Sequence, residues 1–242
     1  AINNAKEDCT PYFLTADHCG QASTAEDFLV WQFYFNYERP DCSNTGTPVE
    51  NMITGANLRA KGNINGGTDY KLLELISEVP SAWNPYYNGW DRSIDPSASG
   101  VCIHHPSGDA KKISTYHNPV SQASWSGSMA NAFWEVSWVS SANGTGVTEG
   151  GSSGSPLFNS NKRIIGTLTG GGSSCSYPAF PDFYGQFAKH WNANGTDPNQ
   201  SLASWLDPLN LNPSYLDGYK PGVAPVASVS NFQAADNGLG QV

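Results

Sequence analysis

Short apolar segments separated by runs of Gly, Asn, Ser and Pro dominate the chain, and their lengths predict β-strands. Residues 133–139 (FWEVSWV) alternate apolar and polar side chains, as a half-buried strand does. Residues 29–37 (LVWQFYFNY) are apolar enough to predict a core strand. Further strands are predicted at residues 11–16, 57–60, 70–75, 156–158 and 163–168.

One helix is predicted near the C-terminal end. Residues 201–206 (SLASWL) carry helix-forming residues, and Asp207 followed by Pro208 is a stop signal. Residues 221–242 contain small residues, Pro and Asn with little apolar content, so they predict a linker or tail.

Composition supports a β protein. With 25 Gly, 16 Pro and 8 Trp among 242 residues, and only 14% charged residues, the chain is typical of turn-rich all-β folds. The length permits one large domain or two small ones. The net charge of −9 argues against nucleic-acid binding, and no apolar run is long enough to span a membrane.

The chain contains five cysteines, Cys9, Cys19, Cys42, Cys102 and Cys175. They are widely spread and form no CxxC pair, so they do not predict a zinc site. An odd number leaves at least one cysteine without a partner inside this chain.

The segment from Glu149 to Pro156 (EGGSSGSP) is the strongest candidate for chemistry. Glycines permit backbone geometry that other residues avoid, so such a turn can expose a serine Oγ and aim nearby N–H groups at one point. Gly/Ser clusters are also ordinary loops, and this segment alone decides nothing.

A candidate base lies upstream, where residues 11–16 lead into Asp17, His18 and Cys19. A serine hydroxyl needs a base within hydrogen-bond reach to become a nucleophile, and His18 can serve as one. The alternative is an ordinary histidine at the end of a strand.

Asp69 precedes the apolar strand 70–75 and is the preferred partner for His18. A buried carboxylate there would hold one tautomer of the imidazole and stabilise its protonated form. The alternatives are a plain strand-start aspartate or one of the competing carboxylates, Asp17, Asp91, Asp95 and Asp109.

His104 and His105 form an adjacent pair that suggests a metal site at first sight. Adjacent side chains in a strand point to opposite faces, so both rings cannot easily reach one ion. The sequence therefore predicts no metal site and no organic cofactor.

The order His18, Asp69, Ser153 is that of the chymotrypsin-type catalytic triad. Residues 15–19 (TADHC) resemble the Thr-Ala-x-His-Cys motif of that family, and residues 151–156 (GSSGSP) resemble its Gly-Asp-Ser-Gly-Gly-Pro motif. This alignment places the nucleophile at Ser153 rather than at Ser152 or Ser155.

A narrower resemblance, to bacterial lysyl endopeptidases of the Achromobacter protease I type, covers roughly residues 3–219. The segments that carry it are residues 12–16 (YFLTA), 72–75 (LLEL), 89–92 (GWDR), 103–106 (IHHP), 147–149 (VTE) and 173–176 (SSCS).

The resemblance implies roles for individual residues. Ser153 would attack the scissile carbonyl, His18 would take its proton and Asp69 would orient His18. The N–H groups of Gly151 and Ser153 would form the oxyanion hole. Residues implied to bind substrate are the edge segment Thr169, Gly170 and Gly171, the adjacent Trp125, and Asp182 at the base of a pocket that selects Lys, or Lys and Arg.

Three departures from that family affect the expectations. Thr169 stands where the family has a histidine that stacks on the tryptophan matching Trp125, so we expect the Thr169 hydroxyl to bond Asp69 instead. Ser152 replaces the aspartate that pairs with a new N-terminal amine in chymotrypsin-like zymogens. Only 17 residues precede His18, too few for the opening strands of a first barrel, so a fragment or a miscalled start is expected.

The cysteines also depart from the family. The family partners of Cys19, Cys42 and Cys175 would lie in the absent opening stretch, and Cys9 and Cys102 are peculiar to this chain. Cysteines of this kind suit an oxidising compartment, so export is expected.

Together these points predict an all-β fold of two antiparallel Greek-key barrels with a short C-terminal helix. The protease domain would span residues 1–220, divided into residues 1–90 and 91–220, with a tail at 221–242. The predicted function is that of a secreted, monomeric bacterial serine endopeptidase acting on polypeptides, with no nucleic-acid or membrane partner. The alternatives are the same fold with another preference, such as Arg or Glu, and a non-catalytic binding module.

Overall fold

The computed structural model describes residues 1–41, 45–142 and 144–222. Strands account for 33% of the chain and helices for 11%, so the predicted all-β class is confirmed. The predicted tail at 221–242 lies outside the described residues except for its first two positions.

The first 75 residues contain five strands and one short helix. The strands are β1 (Tyr12–Thr15), β2 (Gln32–Phe35), β3 (Asn51–Thr54), β4 (Ala56–Gly62) and β5 (Tyr70–Leu75), and the helix is α1 (Ala25–Phe28). The remaining strands are β6 (Trp90–Asp91), β7 (Gly100–His104), β8 (Lys112–Tyr116), β9 (Ser121–Ala123), β10 (Phe133–Val136), β11 (Ser140–Ser141), β12 (Gly144–Thr145), β13 (Pro156–Asn159), β14 (Ile164–Gly171), β15 (Asp182–Gln186) and β16 (Tyr215–Leu216). Two further helices, α2 (Phe187–Asn192) and α3 (Ala203–Leu206), follow β15, and short 3₁₀ turns lie at Ser81–Trp83, Pro106–Gly108 and Pro198–Gln200.

The first sheet is antiparallel with the order β1-β5-β4, and β2 and β3 form a separate hairpin. Strand β5 is central, and its continuous apolar run fits a strand covered on both faces. Because Thr15 pairs with Lys71 across β1 and β5, the end of β1 lies beside the start of β5. His18 and Asp69 therefore emerge from neighbouring strand ends.

The second sheet has the order β8-β7-β13-β14-β15-β10-β9, and β6 and β16 attach through β14. Its pairings among the described residues follow an open path and do not close into a ring. Strand β14 is central. Strand β13 pairs with one of its edges, and the Gly/Ser turn directly precedes β13.

Three apolar clusters form the core. One surrounds Trp90, which stacks on Phe187 at 5.4 Å between ring centroids. A second surrounds Trp134 and Tyr184 inside the large sheet, and a third lies under the hairpin around Phe33 and Leu73. No helix among the described residues is long and apolar enough to cross a membrane.

The prediction of one strand over residues 29–37 is wrong in its bounds. The strand covers only Gln32–Phe35, and Leu29 and Val30 are 50% and 70% exposed on the turn after α1. The predicted C-terminal helix is present as α3, but α2 was not predicted.

Candidate active site

Asp69 holds His18 by two hydrogen bonds. Its Oδ2 lies 2.8 Å from His18 Nδ1, and its Oδ1 accepts the backbone N–H of His18 at 2.9 Å. The carboxylate is fully buried, whereas the His18 side chain is 26% exposed. Because Nδ1 is bound to the carboxylate, the second ring nitrogen of His18 remains available for a proton.

The pKa of Asp69 is lowered despite its burial. Burial acts to raise the pKa of this carboxyl, but the hydrogen bonds from His18 and the charge of the imidazole outweigh it. Asp69 also adopts a left-handed backbone conformation at φ 61°, which costs free energy for a residue with a Cβ. Such strain is typical of positions fixed for function.

Three of the four competing carboxylates have partners other than His18. Asp17 accepts the N–H of Ile64, Asp91 accepts the amide of Asn159, and Asp109 pairs with Arg39. Asp95 donates its N–H to Ser93. Within the described ranges none of the four bonds the His18 ring.

The Gly/Ser turn is pressed against the strand that carries His18. A Cβ on Gly154 would lie 2.1 Å from Thr15 Oγ1 and 2.7 Å from the backbone nitrogen of Ala16, and Gly154 has φ +77°. Ser153 is half-buried and lines a cavity of about 270 Å³ together with Thr15. The described residues contain no hydrogen bond between Ser153 and His18, and such bonds are often long before substrate binds.

Three N–H groups on this turn, those of Gly150, Gly151 and Ser153, have no acceptor among the described residues. Ser152 donates to Glu149 O, Gly154 to Leu168 O and Ser155 to Ser152 O, at 2.8–3.1 Å. The N–H groups of Gly151 and Ser153 donate to no residue in the part of the chain that the structure describes. This pattern leaves free the two donors that the family resemblance assigns to an oxyanion hole.

Thr169, Gly170 and Gly171 form the last part of β14. Gly170 and Gly171 pair with β15, but β13 pairs with β14 only as far as Thr167, so one edge of the segment is open among the described residues. Trp125 covers Gly170, with a ring atom 3.2 Å from the position of a Cβ there, and packs against Phe183 at 5.6 Å. An open edge of this kind can pair with an extended peptide.

The expected hydrogen bond from Thr169 to Asp69 does not form. The Thr169 hydroxyl is buried without a partner in the described structure. It is near enough to contribute to the low pKa of Asp69, but its geometry falls short of a hydrogen bond.

Asp182 lies at the start of β15 and is fully buried. Its Oδ2 accepts hydrogen bonds from Trp138 Nε1, Thr148 Oγ1 and Ser173 Oγ at 2.6–2.7 Å, and its Oδ1 accepts the Ser173 N–H at 3.2 Å. No basic side chain pairs with it in the described part of the chain. A Cβ on Gly171 would lie 2.1 Å from Asp182 Oδ1, so the carboxylate packs against Gly171, its register partner across the paired edge of β14.

The sequence did not predict the supporting roles of two residues, Lys71 and His104. Lys71 is 1% exposed and donates to the carbonyl oxygens of Asp17, Cys19 and Gly20 at 2.9–3.2 Å, capping the turn that contains His18. A lysine inside the apolar run YKLLEL was the available signal. His104 is buried and bonded to Ser152, and no sequence signal links these two distant positions.

The histidine pair is divided between two environments. His104 bonds two serines, whereas His105 Nδ1 lies 3.0 Å from the Asp109 carbonyl oxygen. No group of three or more His, Cys, Asp or Glu side chains suited to a metal ion occurs among the described residues. Cys9, Cys19, Cys102 and Cys175 form no disulfide with one another, and Cys42 lies outside the described residues.

Comparison with known proteins identifies a matching family and a relative. The family model for the lysyl endopeptidase C-terminal domain matches residues 1–185. A lysyl endopeptidase of Pseudomonas aeruginosa (strain PAO1) is 32% identical over 203 residues, covering 78% of this chain and 41% of the relative. The chain thus spans about two fifths of the length of that relative.

Similar solved structures are more distant in sequence. The HtrA-type protease AlgW with a decapeptide is 14% identical over 77% of this chain and 47% of its own, with a TM-score of 0.48. The active form of the Rv3671c protease from M. tuberculosis is 13% identical over 78% of this chain and 67% of its own, with a TM-score of 0.45.

Proposed function

The chain belongs to the lysyl endopeptidase C-terminal domain family, and on that premise we propose that it is a secreted serine endopeptidase that cleaves polypeptides after Lys, or after Lys and Arg. The protease domain would comprise residues 1–220, divided near residue 90. The His18–Asp69 pair belongs to the first part, and Ser153 and Asp182 belong to the second. Substrate would lie across the junction between them.

In the proposed mechanism Ser153 Oγ attacks the scissile carbonyl carbon while His18 accepts the hydroxyl proton. Asp69 keeps the imidazole in the required tautomer and stabilises the imidazolium. The negative charge on the carbonyl oxygen is stabilised by the N–H groups of Gly151 and Ser153. His18 then protonates the leaving amine, and water hydrolyses the acyl-enzyme by the reverse sequence of proton transfers.

The observation that carries this proposal is the contact of Gly154 with Thr15 and Ala16. It brings the Ser153 turn against the end of the strand from which His18 projects. The His18–Asp69 hydrogen bond and the N–H groups of Gly151 and Ser153 then belong to the two segments that meet at this contact.

Asp182 supports the proposed preference for a basic residue. A buried carboxylate whose hydrogen bonds all come from neutral groups lacks a counter-ion, and a substrate ammonium or guanidinium would supply one. The other edge of β14, which is open at Thr169–Gly171 among the described residues, would hold the peptide that presents this side chain.

The proposal is tested with chromogenic peptides that differ only in a terminal Lys, Arg, Glu or Phe. We expect turnover of the Lys or Arg peptide, abolished in Ser153→Ala and retained in Ser160→Ala, a matched change at an exposed serine. Turnover that survives Ser153→Ala would contradict the nucleophile assignment. Turnover confined to Glu or Phe would retain Ser153 and reject Asp182 as the selecting residue.

One observation favours a second function, a protease-like module that binds peptides without cleaving them. Ser153 and His18 are not hydrogen-bonded in the described structure. Peptide binding by isothermal titration, without turnover in a folded sample, would establish the module and reject the endopeptidase.

A further inference from the structure

His104, at the end of β7, bridges two buried serines. Its Nδ1 lies 2.8 Å from Ser152 Oγ, and its Nε2 lies 3.0 Å from Ser114 Oγ. The histidine is 2% exposed, and both serines are 1% exposed. All three side chains are therefore shielded from water and can be satisfied only by protein groups.

The neighbouring backbone fixes the direction of every hydrogen bond in this cluster. Ser114 Oγ donates to Val147 O at 2.9 Å, so it must accept from His104 Nε2–H. His104 Nδ1 is then unprotonated and accepts the proton of Ser152 Oγ. Ser152 Oγ in turn accepts the Glu149 N–H at 3.3 Å. The chain of donors ends with every group satisfied and the imidazole neutral.

This chain ties β7 and β8 to the turn that holds the nucleophile and to the segment that leads into it. Ser152 lies between Gly151 and Ser153, whose N–H groups have no acceptor among the described residues. Val147 and Glu149 belong to the segment that leads into the turn. The cluster therefore holds the turn through Ser152, whose side chain is buried in the protein.

We propose that His104 is a positioning residue that holds the oxyanion-hole turn in its active conformation through the Ser114–His104–Ser152 chain, an inference that rests on the proposed serine endopeptidase function. Chymotrypsin-like enzymes use an aspartate at the position of Ser152, paired with an N-terminal amine. In this chain a neutral hydrogen-bond chain performs the anchoring, so the turn is held without an ion pair.

The electrostatics agree with a neutral imidazole. Burial lowers the pKa of His104 to about 4, and the charge of His105 acts in the same direction. The carboxylates of Asp182 and Glu149 oppose this shift without overcoming it. At neutral pH the Nδ1 lone pair therefore remains available to Ser152.

Kinetics of three variants test the positioning role. His104→Leu removes both hydrogen bonds, His104→Gln retains one acceptor and one donor, and His117→Asn is a matched change at an exposed histidine. We expect His104→Leu to lower kcat about tenfold to hundredfold with KM changed less than about threefold, a smaller loss than the about 10²–10³ for removal of an oxyanion donor. His104→Gln should recover part of kcat, and His117→Asn should behave as wild type. A wild-type kcat in folded His104→Leu, or a loss confined to KM, would overturn the proposal.

Two measurements on the folded protein are independent of activity. In Ser153→Ala protein, ¹⁵N NMR should show His104 as the Nε2–H tautomer, and an Nδ1–H tautomer would overturn the proposed chain. Amide exchange of residues 149–154 should accelerate in Ser152→Ala, and unchanged exchange there would also overturn it. If wild type shows no Ser153-dependent turnover, the endopeptidase proposal fails while these two measurements still decide the anchoring chain.

Discussion

At the residue scale, Asp69 combines burial, backbone strain and two hydrogen bonds to one histidine. A carboxylate that served only to start β5 would not need the left-handed backbone at φ 61° or a bond to the His18 N–H. Its second oxygen orients the ring through Nδ1. The side chain and the backbone of His18 are thus positioned by the same group.

We therefore predict a large loss of rate in Asp69→Asn with little loss of folding. The amide can retain the geometry, but it favours the wrong tautomer of His18, and the same change in the chymotrypsin-type triad lowers kcat about 10⁴-fold. The measurement is kcat on the peptide that wild type prefers, with circular dichroism as a check on folding. A loss of less than about tenfold in folded protein would remove Asp69 from the triad.

Asp182 yields a prediction about specificity. Asp182→Asn removes the negative charge of this buried side chain at nearly the same side-chain volume, so kcat/KM for the Lys peptide should fall at least about 30-fold, corresponding to about 2 kcal/mol. Activity on a Phe peptide should change much less. Thr148→Val, which removes one neutral donor to the carboxylate, is the matched control and should cause a smaller loss. Equal losses on both peptides would indicate that Asp182 supports the fold rather than the substrate.

At the element scale, the contact between the Gly/Ser turn and β1 depends on one missing side chain. Any Cβ at Gly154 would overlap Thr15 Oγ1 at 2.1 Å, and the positive φ adds strain. Gly150 lies earlier in the same turn, and a Cβ there would meet no heavy atom within 4 Å. Alanine substitutions at these two glycines therefore distinguish the effect of close packing at Gly154 from the effect of reduced loop flexibility at Gly150.

We predict that Gly154→Ala moves the Ser153 turn away from β1 and lowers kcat at least about tenfold, about 1.4 kcal/mol or more in transition-state stabilisation. It should also lower the unfolding temperature. Gly150→Ala should leave both values close to wild type. Unfolding temperature by calorimetry and kcat on the preferred peptide provide the two measurements, and equal effects from both substitutions would reject this explanation.

The turn that contains His18 depends on Lys71 of β5. Its ammonium donates to three carbonyl oxygens and lies over the rings of Phe28 and Trp31 at 5.2 and 5.3 Å. Burial lowers the pKa of this lysine, against the attraction of Asp17. Burying the ammonium group of Lys71 therefore costs free energy unless the three carbonyl acceptors are present.

Lys71→Met should reduce the free energy of unfolding by about 1–3 kcal/mol, because the carbonyl oxygens of Asp17, Cys19 and Gly20 lose their donor. It should also lower kcat, since the turn before the catalytic base loosens. Lys111→Met is the control, because its ion pair with Glu38 is exposed and worth about 0–1 kcal/mol. Urea unfolding measures the difference, and a Lys71→Met protein as stable as Lys111→Met would contradict the capping role.

Prediction from sequence succeeded where local pattern and local packing agree. The apolar run YKLLEL became the central strand β5, and FWEV became β10 with Glu135 on its less buried face. Prediction failed where the conformation or the role of a residue depends on a partner that is distant in sequence. Leu29 and Val30 are apolar but lie on a turn, because the capping box of α1 begins a helix at Ala25. The role of His104 depends on Ser152, 48 positions away, and no local pattern contains that information.

At the scale of the whole molecule, a buried histidine joins the two parts that carry the proposed triad residues. His190 of α2 lies 2.9 Å from Thr68 Oγ1 and 3.0 Å from Thr167 Oγ1. Thr68 immediately precedes Asp69 in the first part, and Thr167 lies on β14 in the second. His190 therefore links the two parts by hydrogen bonds at Thr68, the residue next to Asp69.

Two buried neutral histidines make the stability of the molecule depend on pH. Burial lowers the pKa of His190 to about 3 and that of His104 to about 4, whereas both would titrate near 6.5 in the unfolded chain. Below pH 6.5 the unfolded chain binds protons that the native protein does not. The stability that these groups contribute is therefore complete above about pH 6.5 and is lost as pH falls toward about 4.

We predict that the free energy of unfolding falls between about pH 6.5 and about pH 4.5 by about 1.4 kcal/mol per pH unit for each of the two histidines. Burial also lowers the pKa of His105, which acts in the same direction in this window. Asp69, whose pKa is lowered, acts in that direction only near and below the usual carboxyl range, so the window isolates the imidazoles. Urea unfolding at half-unit intervals of pH measures the slope. His190→Gln should reduce it by about 1.4 kcal/mol per pH unit, because glutamine can bond the two threonines but cannot be protonated, whereas exposed His117→Asn should leave it unchanged. An equal slope in wild type and His190→Gln would mean that His190 is not the neutral brace between the two parts.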